Sequence, residues 1–386
     1  MNKPLRIIQW GMGSNIGGVD CFMMNVYRNI DRSKVQFDFL AQHDADELAF
    51  EDEILDMGGR VYRVMYSERE SLTKSRSSLK QFFSGHSEIA GIHVNANYPY
   101  AFPLGFAAKA GVPMRILHSH NAGSADSQQP MPGVKGMMKN AVRGVLNQRI
   151  RHQIMTYPTH YMACSAAAAQ YMFPSKPYTW VKNGINTAAF AYDQDLRVET
   201  RRELGIADTT TVLGFCGRLR TQKNPLFLVD IFEQYHRLNP DSLLLIVGIG
   251  ELKEQMLQKI REYRLEHFVK FVGAQANVSP FYQAMDAFVL PSLYEGLGIV
   301  FIEAQCSGLP CFGSLGAVPQ EAGVTDTMHY VPLESGAGAW AENIHTVLSE
   351  TTPRQNQAKL VCSAGYEMAD VAAQLQEIYL SEGRRG

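Results

Sequence analysis

The chain has 386 residues, of which 46% are apolar and 19% charged. That is ample core-forming material for two or three domains of roughly 150 residues each, and it excludes a disordered chain. Lys and Arg number 36 against 38 Asp and Glu, a formal charge of −2, which argues against a protein whose main partner is the nucleic-acid backbone while leaving room for a local basic patch. Cys21, Cys164, Cys216, Cys306, Cys311 and Cys362 are scattered and form no C-x-x-C pair. They read as free thiols in a reducing compartment, and no Cys/His cluster has zinc-ligand spacing. The first residues lack the apolar run of a signal peptide. The longest span without Asp, Glu, Lys or Arg, His152 to Ser175, is broken by Gln, Thr, Pro, His and Ser and fails as a spanning helix. The expectation is a cytoplasmic protein.

In chain order, Leu5 to Trp10 reads as a buried first strand ending in a Gly-rich turn, and Val19 to Ile30 as a helix. Val35 to Leu40 is a second strand. Asp44 to Asp56 reads as an acidic, solvated helical face. Gly59 to Val64, Gly91 to Val94 and Pro113 to His118 are further strands, with a helical run at Phe106 to Ala110. The rhythm restarts after the turn-rich Trp180 to Asn186. Strands are expected at Thr211 to Cys216, Leu243 to Val247, Val269 to Val272 and Ala287 to Leu290, with a further β element starting at Leu309 to Phe312. Helices are expected at Asn224 to Leu238, Glu251 to Tyr263, around Glu303 to Ser307, and from Glu367 to Leu380. Repeated β-α-β units imply parallel sheets covered by helices on both faces. In such sheets ligands bind beyond the carboxyl ends of the strands, so the strand-to-helix turns are where chemistry is sought.

Three turns stand out. Gly11-Met12-Gly13-Ser14-Asn15-Ile16-Gly17-Gly18 allows close backbone approach to an anion at a helix start. It is one residue too long for the G-x-G-x-x-G dinucleotide fingerprint. Asp38 follows at a suitable distance for a ribose, so a dehydrogenase is weakened without being excluded. Gly217-Arg218-Leu219-Arg220-Thr221-Gln222-Lys223 carries three cations in six positions, suited to phosphate oxygens. Pro291 to Ala304 ends a strand and opens a helix near Gly298 or Ile299, so the N–H groups of Leu297, Gly298 and Ile299 face an anion. Glu295 lies on that loop and Glu303 within the helix, able to touch two parts of one long ligand. A buried Glu303 needs a partner.

Taken together, Gly217-Arg218-Leu219 with Lys223, Glu295-(x7)-Glu303 and Gly17-Gly18-Val19 resemble the family-4 retaining glycosyltransferases of GT-B fold. Val181 to Asn186, Val247-Gly248-Ile249-Gly250 and His118-Ser119-His120-Asn121 extend the resemblance over most of the chain. The histidine element and Gln222 to Pro225 resemble the subgroup acting in bacterial exopolysaccharide, capsule or O-antigen synthesis.

The resemblance implies two Rossmann-like α/β domains facing across a cleft. It places an acceptor-side domain at 1–180, a nucleotide-sugar domain at 181–365, and a C-terminal helix at 366–386 crossing back to the first domain. It implies a hexosyl- or N-acetylhexosaminyl-transferase moving sugar from a nucleotide diphosphate, a UDP-sugar foremost, to a glycan or lipid-linked acceptor. No metal and no cofactor are called for, so the protein itself must meet the leaving-group charge. Arg218 and Lys223 then hold the diphosphate, faced by Gly17 and Gly18. Glu303 accepts from the ribose hydroxyls, and Glu295 lies near the transferred sugar. Leu297, Gly298 and Ile299 donate from the backbone. His120 sits beside the donor sugar, with His118 as the alternative. Cys216 stands where a small aliphatic is commoner, without consequence, and Ile249 stands where many members carry Asp, which leaves base identity open.

A glycosidase is disfavoured, because the cations and Gly loops suit a phosphate-bearing donor. Rival readings are a hydrolysing sugar-nucleotide epimerase and a non-catalytic sugar-nucleotide sensor. Finally, Lys135, Lys139, Arg143, Arg149 and Arg151 occur without an acid between 135 and 151. A basic amphipathic helix there could rest on an anionic membrane, or pack on the sheet with its cations in water.

Overall fold

The computed structural model describes residues 3–14, 16–66, 68–123, 147–350 and 353–383. The chain forms two compact units, Met1–Gly184 joined by Met368–Gly386, and Ile185–Glu367.

The first unit is a seven-stranded sheet of β1 (Leu5–Trp10), β2 (Val35–Gln42), β3 (Val61–Val64), β4 (Ile89–Ala96), β5 (Met114–Ser119), β6 (His160–Ala163) and β7 (Thr179–Trp180), in the order β3-β2-β1-β4-β5-β6-β7. Every pairing is parallel. Helices cover such a sheet, so its strands read as near-continuous apolar runs. Strand β2 departs from that rule at Gln36 and Asp38, both buried, and the structure supplies partners for each. Gln36 Nε2 donates to Tyr27 Oη at 2.5 Å and to Met57 O at 3.0 Å. Asp38, 1% exposed, accepts from Arg6 Nε at 2.6 Å and from the Arg60 amide at 2.9 Å. Asp38 is therefore consumed by the fold and cannot meet a ribose, which removes the residue that kept a dehydrogenase in view.

The acidic stretch from Asp44 differs from expectation. Only Glu51–Asp56 is helical. Glu51 accepts from the Leu48 amide at 2.9 Å and from Arg63 at 2.9 and 2.8 Å, so this acid starts the helix and ties it to β3 instead of lying free in water.

The second unit is a six-stranded parallel sheet of β8 (Thr211–Cys216), β9 (Ser242–Val247), β10 (Val269–Gly273), β11 (Ala287–Leu290), β12 (Cys311–Ser314) and β13 (Met328–Val331), ordered β10-β9-β8-β11-β12-β13. Helix Pro225–Leu238 packs on helix Gly336–Ser349, which buries Trp340 completely. Strands β8 and β11 lie side by side at the centre, so the loops following them emerge together.

Helix Met368–Gly383 belongs to the first unit. Its Met368, Val371, Ala372, Leu375 and Tyr379 join the core of Ile7, Tyr27 and Phe37. Gln376 Oε1 accepts from the Asp31 amide at 2.6 Å. Among the described residues no helix is long and apolar enough to cross a membrane.

Candidate active site

Strand β8 ends at Cys216, and the loop that follows is held by its neighbour from β9. Gly217 N donates to Val247 O, and Leu219 N to Ile249 O, at 3.0 and 2.9 Å. A Cβ on Gly248, at φ +140, would sit 2.0 Å from Gly217 O. The glycine is thus needed for two backbones to touch. Arg218 projects from this loop with an exposed side chain. The loop ends in a 3-10 turn, Thr221–Lys223, and helix Pro225–Leu238 starts with Pro at its first position, as a missing N–H allows.

The loop after β11 meets the first loop through Gln222. Its carbonyl accepts from the Leu293 amide at 2.8 Å and its Nε2 donates to Tyr294 O at 3.0 Å. Lys223 Nζ then reaches Glu295 Oε1 at 2.7 Å, and Ser292 Oγ donates to the same oxygen at 2.6 Å. The side chains of Lys223 and Glu295 are 14% and 5% exposed. A pair this enclosed is positioned by its surroundings, since desolvation offsets much of its own attraction. Gly298, at φ +80, turns the chain into helix Ile299–Cys306. The leading amides of a helix have no acceptor within it, and those of Leu297, Gly298 and Ile299 occupy that end.

Glu303 lies one turn along the same helix and accepts from Tyr282 Oη at 2.8 Å. Desolvation pushes its carboxyl up from the ordinary 4.5 to about 7, opposed by the Tyr282 hydroxyl and the Lys223 charge. Cys216 belongs to the same group. Burial and the nearby Glu303 push its thiol up to about 12. The cysteine therefore lies close to Glu303.

In the first unit, Gly17 caps helix Gly18–Asn29 in an extended conformation. Nothing lies within 4 Å of where a Cβ on Gly18 would stand, so the fold itself makes no steric demand for glycine there. Asp20, buried in the first turn, turns back to accept from the Gly13 amide at 2.9 Å. It braces the Gly-rich turn and puts a negative charge at the helix start.

The histidines form a buried ladder. Asn95 on β4 and His118 on β5 are register partners, and residues two apart share a sheet face, which brings His93, Asn95, His118 and His120 together. Tyr379 Oη and His93 Nδ1 are 2.7 Å apart, and His93 Nε2 and His118 Nδ1 3.2 Å apart. His118 and His120 rings lie 4.0 Å apart between centroids, with Phe22 4.9 Å from His120. His120 Nε2 is 3.0 Å from Asn95 Oδ1, and Asn95 Nδ2 donates to Gln9 Oε1 at 3.0 Å. Desolvation lowers His93 and His120 to about 3 and His118 well below its usual value. All three are neutral imidazoles near neutral pH. His118 is fully enclosed, whereas His120 keeps 8% exposure just past the end of β5.

The structure therefore joins Lys223, Glu295, Leu297, Gly298, Ile299 and Glu303 on two adjacent loops and one helix, and gathers His118 and His120 on one face of the other sheet. Sequence reasoning missed Tyr282, Ser292, Gln222, His93 and Tyr379. Ser292, three residues before Glu295, and Gln222, next to Lys223, lie on loops already singled out and could have been suspected; the others reach the group only through tertiary contacts. Lys135, Lys139 and Arg143 lie outside the described residues. Arg149 and Arg151, on the helical stretch 147–156, are exposed, while Ile154 is buried.

Residues 197–359 match the family described as Glycosyl transferases group 1. Over 381 residues the chain is 28% identical to EpsF of Bacillus subtilis strain 168, which carries a glycosyltransferase name, covering 97% of this chain and 96% of that one. A shorter match, 33% over 137 residues and 35% of each chain, is to the Escherichia coli UDP-Gal:alpha-D-GlcNAc-diphosphoundecaprenol alpha-1,3-galactosyltransferase. Among solved structures, Anabaena HepE in complex with UDP superposes with a TM-score of 0.76 at 18% identity, over 98% of this chain and all of that one. The lipopolysaccharide glycosyltransferase WaaG gives 0.73 at 13% identity, over 96% and 99%. The fold is GT-B, with two Rossmann-like halves, and the chain is a glycosyltransferase.

Proposed function

We propose that this glycosyltransferase is a family-4 retaining enzyme. It moves a hexosyl or N-acetylhexosaminyl group from a nucleotide diphosphate, a UDP-sugar foremost, to a glycan or lipid-linked acceptor in surface polysaccharide synthesis. The observation that carries the reading is the Lys223 ammonium fixed 2.7 Å from Glu295, beside a helix start and one helical turn from the Glu303 carboxyl. Breaking a glycosidic bond to a diphosphate leaves negative charge on the departing phosphate. A preorganised ammonium and helix-end amides stabilise that charge most when water is excluded. Arg218, on the same loop system, adds a second cation to the diphosphate. Glu295, held by Ser292 and Lys223, is set to accept from a hydroxyl of the sugar. Glu303 accepts from the ribose hydroxyls. In the first unit, Gly17 and Gly18 are assigned to the phosphate oxygens, with open space where a Cβ on Gly18 would stand, and neutral His120 can hydrogen-bond a sugar hydroxyl without opposing the developing positive charge at the anomeric carbon.

No protein nucleophile is assigned. The leaving phosphate takes the proton of the attacking acceptor hydroxyl on the face from which it departs. The chemistry asks for no resident cofactor or metal, because the charge is met by these side chains and amides. The names of the relatives, which include a UDP-Gal-dependent enzyme acting on a diphosphoundecaprenol-linked sugar, support the donor and acceptor classes.

The test combines ligand binding with turnover. UDP at a hundredfold excess over its Kd should stabilise the wild type by about 2.7 kcal/mol. Glu303→Ala should lose most of that stabilisation. Lys223→Ala should keep partial binding while transfer falls by about 10²–10³-fold, the usual cost of one removed oxyanion donor. Unchanged turnover in Lys223→Ala overturns the assignment.

A further inference from the structure

The carboxyl edge of the first sheet carries an aromatic cluster that neither the donor machinery nor the core accounts for. Three strands of the run β3-β2-β1-β4, namely β3, β1 and β4, deliver it. Trp10 is the last residue of β1, Tyr66 follows β3, and Tyr98 and Tyr100 follow β4. Tyr100 stacks on Trp10 with centroids 4.7 Å apart and planes at 17°. Tyr66 meets Trp10 edge-on at 5.8 Å and 71°. Tyr98 stands at 63° to Tyr100, 6.1 Å away, and together they make an angular corner. Trp10 is 7% exposed, but Tyr98 is 53% exposed, so the cluster is anchored at one end and open to solvent at the other. Tyr100 Oη donates to Tyr66 O at 3.3 Å, and the Tyr66 amide to Gln42 Oε1 at 3.1 Å, which fixes the segments to one another. Burial raises the Tyr66 phenol to about 12, with Tyr98 and Asp44 adding to it.

We propose that the corner formed by Tyr98 and Tyr100 is a carbohydrate subsite that receives a pyranose ring of the acceptor glycan. The negative face of an aromatic ring attracts the slightly positive C–H edge of its partner, and one face of a pyranose presents such C–H bonds. The hydroxyls at the rim of the sugar need polar partners, and the same edge of the sheet carries Gln42, His43 and Asp44 at the end of β2, on the far side of β1 from β4. Ligands of open parallel sheets bind at this edge. Tyr100, stacked on Trp10 and donating to the Tyr66 carbonyl, loses little rotamer freedom when a ligand arrives, so this wall of the corner is preorganised. The inference rests on glycosyl transfer as the reaction and names where the acceptor is held.

The experiment uses methyl glycosides of glucose, galactose and N-acetylglucosamine as probes, observed by saturation-transfer NMR on the full chain with and without UDP. At least one glycoside should show transfer to its ring C–H protons. Tyr98→Ala should weaken that binding by about tenfold, while Tyr98→Phe retains it. Tyr178→Ala, removing an exposed aromatic elsewhere in the unit, should leave it unchanged. No binding by the wild type, or wild-type affinity in Tyr98→Ala, overturns the subsite. Loss of binding in Tyr98→Phe overturns stacking as its basis. UDP binding, read separately by thermal shift through Lys223 and Glu303, reports on the donor site alone: glycosides bound through Tyr98 without any UDP binding would sink the donor assignment and leave this subsite standing.

Discussion

Glu303 carries a carboxyl whose surroundings disfavour its charge, yet its proposed role is to accept hydrogen bonds from two hydroxyls, which the ionised form does best. Its folded value, raised from 4.5 to about 7, has two consequences of opposite sign. In the unliganded protein the contribution of this group to stability is intact below 4.5 and is lost as pH rises through about 7. Ligand binding should go the other way. Affinity for UDP-glucose, whose phosphates do not titrate in that range, is expected to improve as pH rises through about 7, and Glu303→Gln should flatten the profile. Calorimetric titration across that range checks it. A wild-type affinity independent of pH would contradict the role. Part of this was readable beforehand: Glu303 stands among Ile302, Ala304 and Cys306, so burial and the need for a partner could be inferred. That the partner is Tyr282, from a helix 21 residues earlier, could not, because nothing local in the sequence couples the two.

At the scale of elements, the strands and turns were the most legible. Leu5–Trp10, Thr211–Cys216 and Ala287–Leu290 have the bounds that their apolar runs predict, since a strand covered on both faces has no polar alternation to blur its ends. The helix start near Gly298 was likewise legible from the glycine. The segment at Asp44 was not. Charge alone reads as solvated helix, and the pairing of Glu51 with Arg63, twelve residues away, is decided by strand order. The histidine ladder is a similar case: His118 and His120 are visible as a pair, but His93 and Tyr379 join them only through β4 and the final helix. Tyr379→Phe removes the hydroxyl that meets His93 Nδ1 and leaves a fully buried imidazole nitrogen without its partner, which should cost about 1–3 kcal/mol. The depressed imidazoles add a pH signature. Their contribution to stability is intact above the ordinary 6.5 and declines as pH falls toward about 3. Denaturant titration of Tyr379→Phe and wild type at several pH values reads both effects. Equal stability of the two proteins would show that the ladder is not a structural unit.

For the whole molecule, the decisive feature is a chain that leaves the first unit at Gly184 and returns to it at Met368. The outgoing and returning segments run side by side within the second unit. Ile185 bridges Glu367 in parallel, the Ile185 amide donates to Tyr366 O at 2.8 Å, and Thr187 Oγ1 donates to Glu367 Oε2 at 2.5 Å. Truncation after Glu367 would strip Met368, Val371, Ala372, Leu375 and Tyr379 from the first core. Each large apolar side chain lost is worth about 1.5–3 kcal/mol, so the sum is comparable with the whole stability of an ordinary domain. The truncated protein should bind a hydrophobic dye strongly and lose cooperative unfolding of the first unit, while residues 185–367, whose ends are neighbours, should still unfold cooperatively when expressed alone. Circular dichroism and dye fluorescence of the two fragments decide this.

The same double crossing reverses the order in which the ribosome can finish its product. Residues 185–367 are released with both edges of their sheet already made, whereas the amino-terminal half must wait, its apolar floor uncovered, until helix Met368–Gly383 arrives. A chain cut before that helix would leave the first core without Met368, Val371, Leu375 and Tyr379, and a side chain introduced at Gly383 would press on Leu5, whose Cδ1 lies 2.6 Å from where its Cβ would stand.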